Sequence, residues 1–416
     1  MKITNAELKI ILDSRGKDTL EAVFETGNFL VKASAPSGKS RGKHEAFVLE
    51  PKKALEKFEN IKKEILNKEF ENQKEFDKFL ISLDGTPNKE NIGGNMILVL
   101  SLAFARLAAK SQNLELYEYI RKNFQFPLSL STKRRFPLPF FNVINGGVHS
   151  GNSQSKIEFQ EFQIIPQVSD FKTAFDLGKE FYSLLKEFLE NKFGQKNIIL
   201  GDEAGFSCVF ESNEQAIAIL AELIKKNGYP LRIGLDVAAS QFYEKDESVY
   251  IIGGKKYLAE ELKEMYLKLI ENYGIISIED PFDEESFDDF AKLILDIQSK
   301  EIEYLNTEKS DFRKLVITDD LTTTNLKRLQ TALNKKAGNA ILIKLNQIGT
   351  LTETLEVMKL AYEKDWRAII SHRSGETMDD FIADLAVGTD AWGIKSGAPA
   401  APERNAKYER ILKIVS

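Results

Sequence analysis

From Phe140 onward the chain repeats one alternation, a short apolar run followed by a helical stretch. The runs are FFNVING, FQEFQIIP, LRIGLDV, IISIEDP, KLVITDD, AILIKLN, WRAIISH and AWGIKSG. Eight of them in about 280 residues are what a (β/α)8 barrel requires, because each parallel strand needs a crossover that lays a helix outside the sheet.

The first third is organised differently. Three β-prone runs, ending near Leu12, Phe24 and Ala33, are separated by the turn signals SRGK and ETGN. From Pro51 the period lengthens: Leu55, Phe58, Ile61 and Ile65 recur every three or four residues, which predicts an amphipathic helix. Further helical segments follow at about 75–83, 94–110 and 115–123, and strands followed by helices predict an α+β unit. Prolines and basic residues break the pattern in FQFPLSLSTKRRFPLPFF, so the expected domains are 1–133, a three-stranded antiparallel sheet plus helices, and 134–416, the barrel.

Composition narrows the function. The 57 basic and 63 acidic residues give a net charge of -6, which argues against a general nucleic-acid binder. The single cysteine, Cys208, excludes an internal disulfide framework and a cysteine-based zinc cluster. The apolar run from Met96 to Ala105 ends at Arg106, about half the length a bilayer span needs. Ile10–Leu12 falls short of a signal-peptide core. The expectation is a cytoplasmic chain with no membrane partner.

The later runs end in polar residues: Asp236, Glu279, Asp319, Lys344, His372 and Lys395. In a parallel barrel these ends converge on the C-terminal rim, where barrel enzymes keep their active sites. One carboxylate at a strand end is more often a helix cap. Three on consecutive strands repel unless neutralised, and oxygen ligands without cysteine suit a hard cation, so Asp236, Glu279 and Asp319 are a candidate Mg2+ triad. Lys344 either snorkels to the surface or acts as a general base, its pKa lowered by desolvation and nearby positive charge. Lys395 could be such a base or an anion ligand. His149 and His372 lie in Gly- or Ser-rich loops, and Arg373 with Ser374 suits phosphate. Glu203 in GDEAGFS is by itself weak evidence of catalysis, and APSGKSRGKHEA reads equally as a phosphate nest or a solvated loop.

Taken together, ILDSRG, APSGKSRGKHEA, LDGTPNK, NVINGGVHSGN, QEFQIIP, GDEAGF, GLDVAAS, SIEDPF, DDLTTTN, IKLNQIGT, SHRSGET and IKSGAPA resemble, in order, the signatures of the enolase family. The resemblance implies an α/β barrel of ββαα(βα)6 type, its second strand antiparallel, with an α+β N-terminal capping domain. It implies the reversible dehydration of 2-phospho-D-glycerate to phosphoenolpyruvate in glycolysis and gluconeogenesis, by a homodimer or an assembly of dimers. Asp236, Glu279 and Asp319 would hold one Mg2+, and Ser40 would bring its loop to a second that enters with substrate. Lys344 would be the base and Glu203 the acid, with His149, Glu161 and His372 completing the catalytic set. Gln160, Arg373, Ser374 and Lys395 would bind substrate. The alternatives are a catalytically silent binding protein of the same fold, or a diverged enzyme acting on another carboxylate.

Some positions depart from the family pattern. Ala204 replaces the second glycine of GDEGG, a change tolerated where φ is negative. Gln241 replaces a Glu, Ala401 and Pro402 replace Arg and Ser, and Lys39 and Arg41 occupy loop positions where small residues are typical. Lys9 replaces an arginine that in the family pairs across the dimer with the glutamate matching Glu403.

Overall fold

The structure, a computed structural model, describes residues 1–39, 42–123, 136–152, 154–304 and 313–416. The expected boundary at 133/134 and the metal candidate Ser40 lie outside the described residues.

Strands β1 (Asn5–Leu12), β2 (Asp18–Thr26) and β3 (Phe29–Ser34) form an antiparallel sheet in that order, as their turn signals predict. Helix α1 (Pro51–Leu66) starts with proline at its first turn, where the missing N–H costs nothing. It buries Phe58, Ile61 and Ile65, while Leu55 packs half-buried at the edge of the core. Helix α2 (Gln73–Asp84) is capped by the Asn72 side chain and stopped by Gly85 at φ 69°. Helix α3 (Gly94–Ser111) absorbs the apolar run and, at 18 residues, is long and apolar enough to cross a membrane. Nearly all of its residues are buried in the protein core, where Phe76 stacks on Phe104 at 4.3 Å. Helix α4 is Leu116–Asn123.

Each of the eight apolar runs marks a barrel strand, the first of which begins two residues before its run: β4 (Leu138–Asn145), β5 (Glu161–Pro166), β6 (Leu231–Asp236), β7 (Ser277–Glu279), β8 (Leu315–Thr318), β9 (Ala340–Ile343), β10 (Arg367–Ser371) and β11 (Gly393–Lys395). Pairing of Gly393 with Leu138 closes the barrel. Outside it run α5 (Phe171–Phe193), α6 (Asn213–Asn227), α7 (Ala259–Tyr273), α8 (Phe287–Tyr304), α9 (Leu326–Lys335), α10 (Leu351–Glu363), α11 (Phe381–Gly388) and α12 (Pro402–Val415).

The order is ββαα(βα)6, and β5 runs antiparallel to both β4 and β6. The uniformly parallel barrel suggested by run spacing alone is thereby corrected. Among the described residues between β4 and β5 the helical structure is a three-residue 3-10 turn, too little for the crossover that parallel neighbours need. The reversal puts the first residue of β5, rather than its last, on the rim: Glu161 pairs in register with Asp236, and Asp236 with Glu279.

The N-terminal unit docks on this rim. Ser37 and Gly375 exchange backbone hydrogen bonds of 2.7 and 2.8 Å, and the Ala46 N–H donates to Gln347 O at 2.8 Å. Ser37 and Ala46 are thus held beside the strand termini.

Candidate active site

The rim surrounds a pocket lined by Glu161, Glu203, Asp236, Asp319, Lys344, His372, Arg373 and Lys395, among others. Several rim residues other than glycine have positive φ, among them Ala204, Ala238, Asp280, Thr323 and Thr324. Such strain persists only where the surrounding fold over-determines it, and it concentrates at functional sites.

At the centre lies Lys395, buried at the end of β11. Its Nζ contacts Asp236 Oδ2 at 2.9 Å, Glu279 at 2.9 Å and Glu161 Oε2 at 3.1 Å. Burial disfavours its charge, but the three acids outweigh burial and raise its pKa well above the usual range. Glu279 is also raised, by burial first and then by the Asp236 charge. Gln160 donates to Asp236 Oδ2 at 3.2 Å, and Gln241 in turn donates to Gln160 Oε1.

Asp319 faces different partners. Lys344 Nζ bonds to its Oδ2, and Gln347 Nε2 donates to its Oδ1 at 2.9 Å. A Lys344 acting as base in such surroundings is expected to have a lowered pKa. Burial does push it down, but the Asp319 carboxylate prevails and the net shift is upward. Arg373 and Lys395 act in the expected direction. Asp280 receives the backbone N–H groups of Asp319 and Asp320 at 2.9 and 2.7 Å, which fixes the turn carrying Asp319.

Glu203 is buried between both candidate histidines: His149 Nδ1 stands 3.5 Å from Oε1, and His372 Nε2 stands 3.4 Å from Oε2. Asn142 Nδ2 donates to Oε2 at 2.9 Å. Burial raises the Glu203 pKa, but His372, His149 and Arg404 outweigh it and the carboxyl falls well below its usual range. Its neighbour Glu161 shifts the other way, raised by burial and then by the Glu203 charge. The carboxyl whose pKa is raised is therefore Glu161, whereas the acid implied by the resemblance is Glu203. Ala204 lies at φ 63°, so the negative φ on which tolerance of the glycine replacement depended is not found. The tight turn that bonds the Ala204 N–H to Gly201 O at 3.0 Å imposes that conformation.

Arg373 makes a two-pronged contact with Glu45 at 2.8 and 3.1 Å and reaches Asn346 Oδ1 at 2.9 Å. The Ser374 hydroxyl accepts the Lys39 N–H at 2.8 Å and Arg15 Nη1 at 3.3 Å. Lys39 Nζ lies 3.1 Å from Asp202. Sequence reasoning did not single out Glu45, Arg15, Asn142, Gln347 or Asp202. Each lies in or beside a quoted motif, but no local spacing marks it as a partner of the rim. Of the other departures, Pro402 opens α12 and Lys9 pairs with Glu7 of its own strand at 2.9 Å.

Among the described residues, two groups bring potential metal-ligand atoms within 4.8 Å of one another: His149, Glu161 and Glu203, and Asp280, Asp319 and Asp320. The expected triad is divided, with Asp236 and Glu279 sharing Lys395 while Asp319 binds Lys344. The donor set nonetheless suits a hard cation. Buried carboxylates crowd a space already centred on a positive charge, and no sulfur competes.

The reversed second strand, the docked α+β unit and the acids and amines gathered on one rim define a class of barrel enzyme built for proton transfer in a charged, enclosed pocket. Residues 133–416 match the family described as "Enolase, C-terminal TIM barrel domain", and residues 3–120 match "Enolase, N-terminal domain". The chain is 40% identical to the enolase of Methanocaldococcus jannaschii, covering 97% of this chain and 92% of that one. It is 40% identical to the enolase of Methanopyrus kandleri over 99% and 95%, and 39% identical to enolase B of Dictyostelium discoideum over 100% and 94%. The chain belongs to the enolase family.

Proposed function

We propose that this rim carries out the reversible dehydration of 2-phospho-D-glycerate to phosphoenolpyruvate, with Lys344 as base and Glu203 as acid. The chain is a hydro-lyase, a phosphopyruvate hydratase. The observation that carries the assignment of roles is that a lysine and a two-carboxyl, two-histidine cluster line one buried cavity beside a guanidinium and a hydroxyl suited to phosphate.

A proton beside a carboxylate is weakly acidic because its removal leaves a dianionic enolate. Asp236, Glu279 and Asp319 would hold one Mg2+, and Ser40 would serve a second that arrives with substrate. Bound there, the metals would supply positive charge to the substrate carboxylate. Lys395 adds its own charge to the same region. Lys344 takes the C2 proton, and the C3–O bond then breaks. The hydroxyl departs as water with the proton held between Glu161 and Glu203. Arg373 and Ser374 hold the phosphate, Gln160 orients the bound carboxylate, and His149 and His372 fix Glu203. Lys344 must be a neutral amine to act, and loss of the Asp319 charge removes the main influence that keeps it protonated.

The same reading takes 1–133 and 134–416 as the two domains, a homodimer or assembly of dimers as the active form, and the cytoplasm as its compartment. Its test is turnover of 2-phosphoglycerate followed by the ultraviolet absorbance of the enol product. Activity with Mg2+ that EDTA abolishes and added Mg2+ restores is expected. A folded, Mg2+-loaded chain without turnover would leave a silent binding protein, and turnover of a different carboxylate would point to a diverged enzyme.

A further inference from the structure

Arg404, in the first turn of α12, is the largest fully buried side chain among the described residues. A buried guanidinium is costly unless its hydrogens find acceptors. The nearest carboxylate, Glu403, is 3.6 Å from Nε and makes no hydrogen bond to it. The acceptors belong instead to the two loops that build the site. Nη1 donates to His372 Nδ1 at 2.6 Å and to Arg373 O at 2.7 Å. Nη2 donates to Asp202 O at 2.9 Å and to Ser374 O at 2.7 Å.

The contact with the imidazole is the informative one. Carbonyls alone would describe a scaffold, but a ring nitrogen has two protonation states and guanidinium can only donate. Nδ1 must therefore present its lone pair, and the neutral ring then carries its hydrogen on Nε2, the atom 3.4 Å from Glu203 Oε2. An imidazolium would set two donors face to face. Burial first, and Arg404 with it, hold the His372 pKa down to about 4 against the pull of Glu203.

We infer that Arg404 is a positioning residue: it locks His372 in the tautomer whose Nε2–H faces Glu203, and ties the Glu203 loop to the Arg373–Ser374 loop. The inference rests on the reading of Glu203 as the acid. A fixed N–H donor then faces the Glu203 carboxylate throughout, with no reorientation needed at the moment of reaction. Removing an outer partner that fixes an imidazole's tautomer costs about 10- to 100-fold at metal-bound histidines, which sets the scale here.

The chain has only three histidines, so nitrogen-15 spectra of the full-length, Mg2+-loaded protein can resolve His372. In wild type, Nδ1 is expected to appear as an unprotonated nitrogen and Nε2 as a protonated one. In Arg404→Gln the two forms should mix, and kcat should fall about 100-fold while KM stays within about threefold. Adding Arg404→Gln to His372→Asn should cost little more than His372→Asn alone. An unchanged tautomer in Arg404→Gln, or fully additive losses, would overturn the inference. Should Arg404→Gln fail to fold, Arg404→Lys supplies the same reading. Lysine also only donates, so activity should track whatever tautomer it preserves, and a retained tautomer with lost activity would overturn it. The spectra need no turnover, so an inactive wild type would remove the assigned reaction while leaving Arg404 still testable.

Discussion

Two buried polar clusters in this chain are built on opposite principles. Where α2 meets α10, Asp77 is buried alone among neutral donors: Gln73 Nε2 at 2.9 Å, the Thr352 N–H at 2.9 Å and the Thr352 hydroxyl at 2.6 Å. At the rim, four acids and two lysines share one space, and His149 Nδ1, His372 Nε2 and both polar side-chain atoms of Asn145 have no hydrogen-bond partner. The first cluster is a joint, with one carboxyl and nearly every group paired, Gln73 Oε1 excepted. The second holds charges that cancel only in part and polar atoms in reserve. Burial alone does not separate the two, whereas the excess of ionisable groups over their partners does.

Single substitutions, two at the rim and one at the joint, sharpen the contrast most. Lys344→Ala should abolish turnover, by about 10⁴-fold, with an unchanged circular dichroism spectrum. Arg373→Lys should lower kcat/KM by about 10- to 100-fold, because a point charge cannot replace the guanidinium fork. Asp77→Ala should leave kcat near the wild-type value but lower the unfolding free energy in denaturant by about 2–3 kcal/mol, since three donors lose their acceptor.

Acid should move the clusters in opposite directions. The folded pKa of Asp77 is raised from 3.8 to about 6, chiefly by burial, so the folded state binds the extra proton. Its share of stability is complete below the unfolded value and is lost as pH rises toward 6. His372 is lowered from 6.5 to about 4 by burial, so the unfolded state binds the extra proton. Its share is complete above 6.5 and is lost as pH falls toward 4. Melting temperatures of His372→Gln and Asp77→Asn across that window should each lack one of these slopes. Identical slopes in all three proteins would contradict the assignments. The smallest effect is expected at the turn beside Glu203, where Ala204→Gly should gain about 1 kcal/mol by relieving a left-handed alanine.

Much of this architecture was readable in the chain itself, because period and strand-end chemistry are local properties. KLVITDD gave β8 together with the acid that follows it, and AWGIKSG gave β11 with Lys395 as its last residue. The antiparallel β5 was not readable from the runs, since an apolar run carries no direction. It entered only through the family resemblance, and with it came the reason that Glu161 opens its strand at the rim. Electrostatics escaped for a related reason. Whether Lys344 rises or falls depends on the Asp319 carboxylate 25 residues away, and the grip on Arg373 comes from Glu45, 328 residues distant. The φ of Ala204 depends on a loop closed by Gly201 and Gly205, which composition does not reveal.

The central claim is that Lys344 removes the C2 proton at a metal-loaded rim. Exchange of that proton with heavy water, followed in 2-phosphoglycerate with Mg2+ present, tests this step apart from dehydration. Glu203→Gln should still exchange while forming no enol product, and Lys344→Ala should show no exchange. Exchange at the wild-type rate in Lys344→Ala would contradict the account.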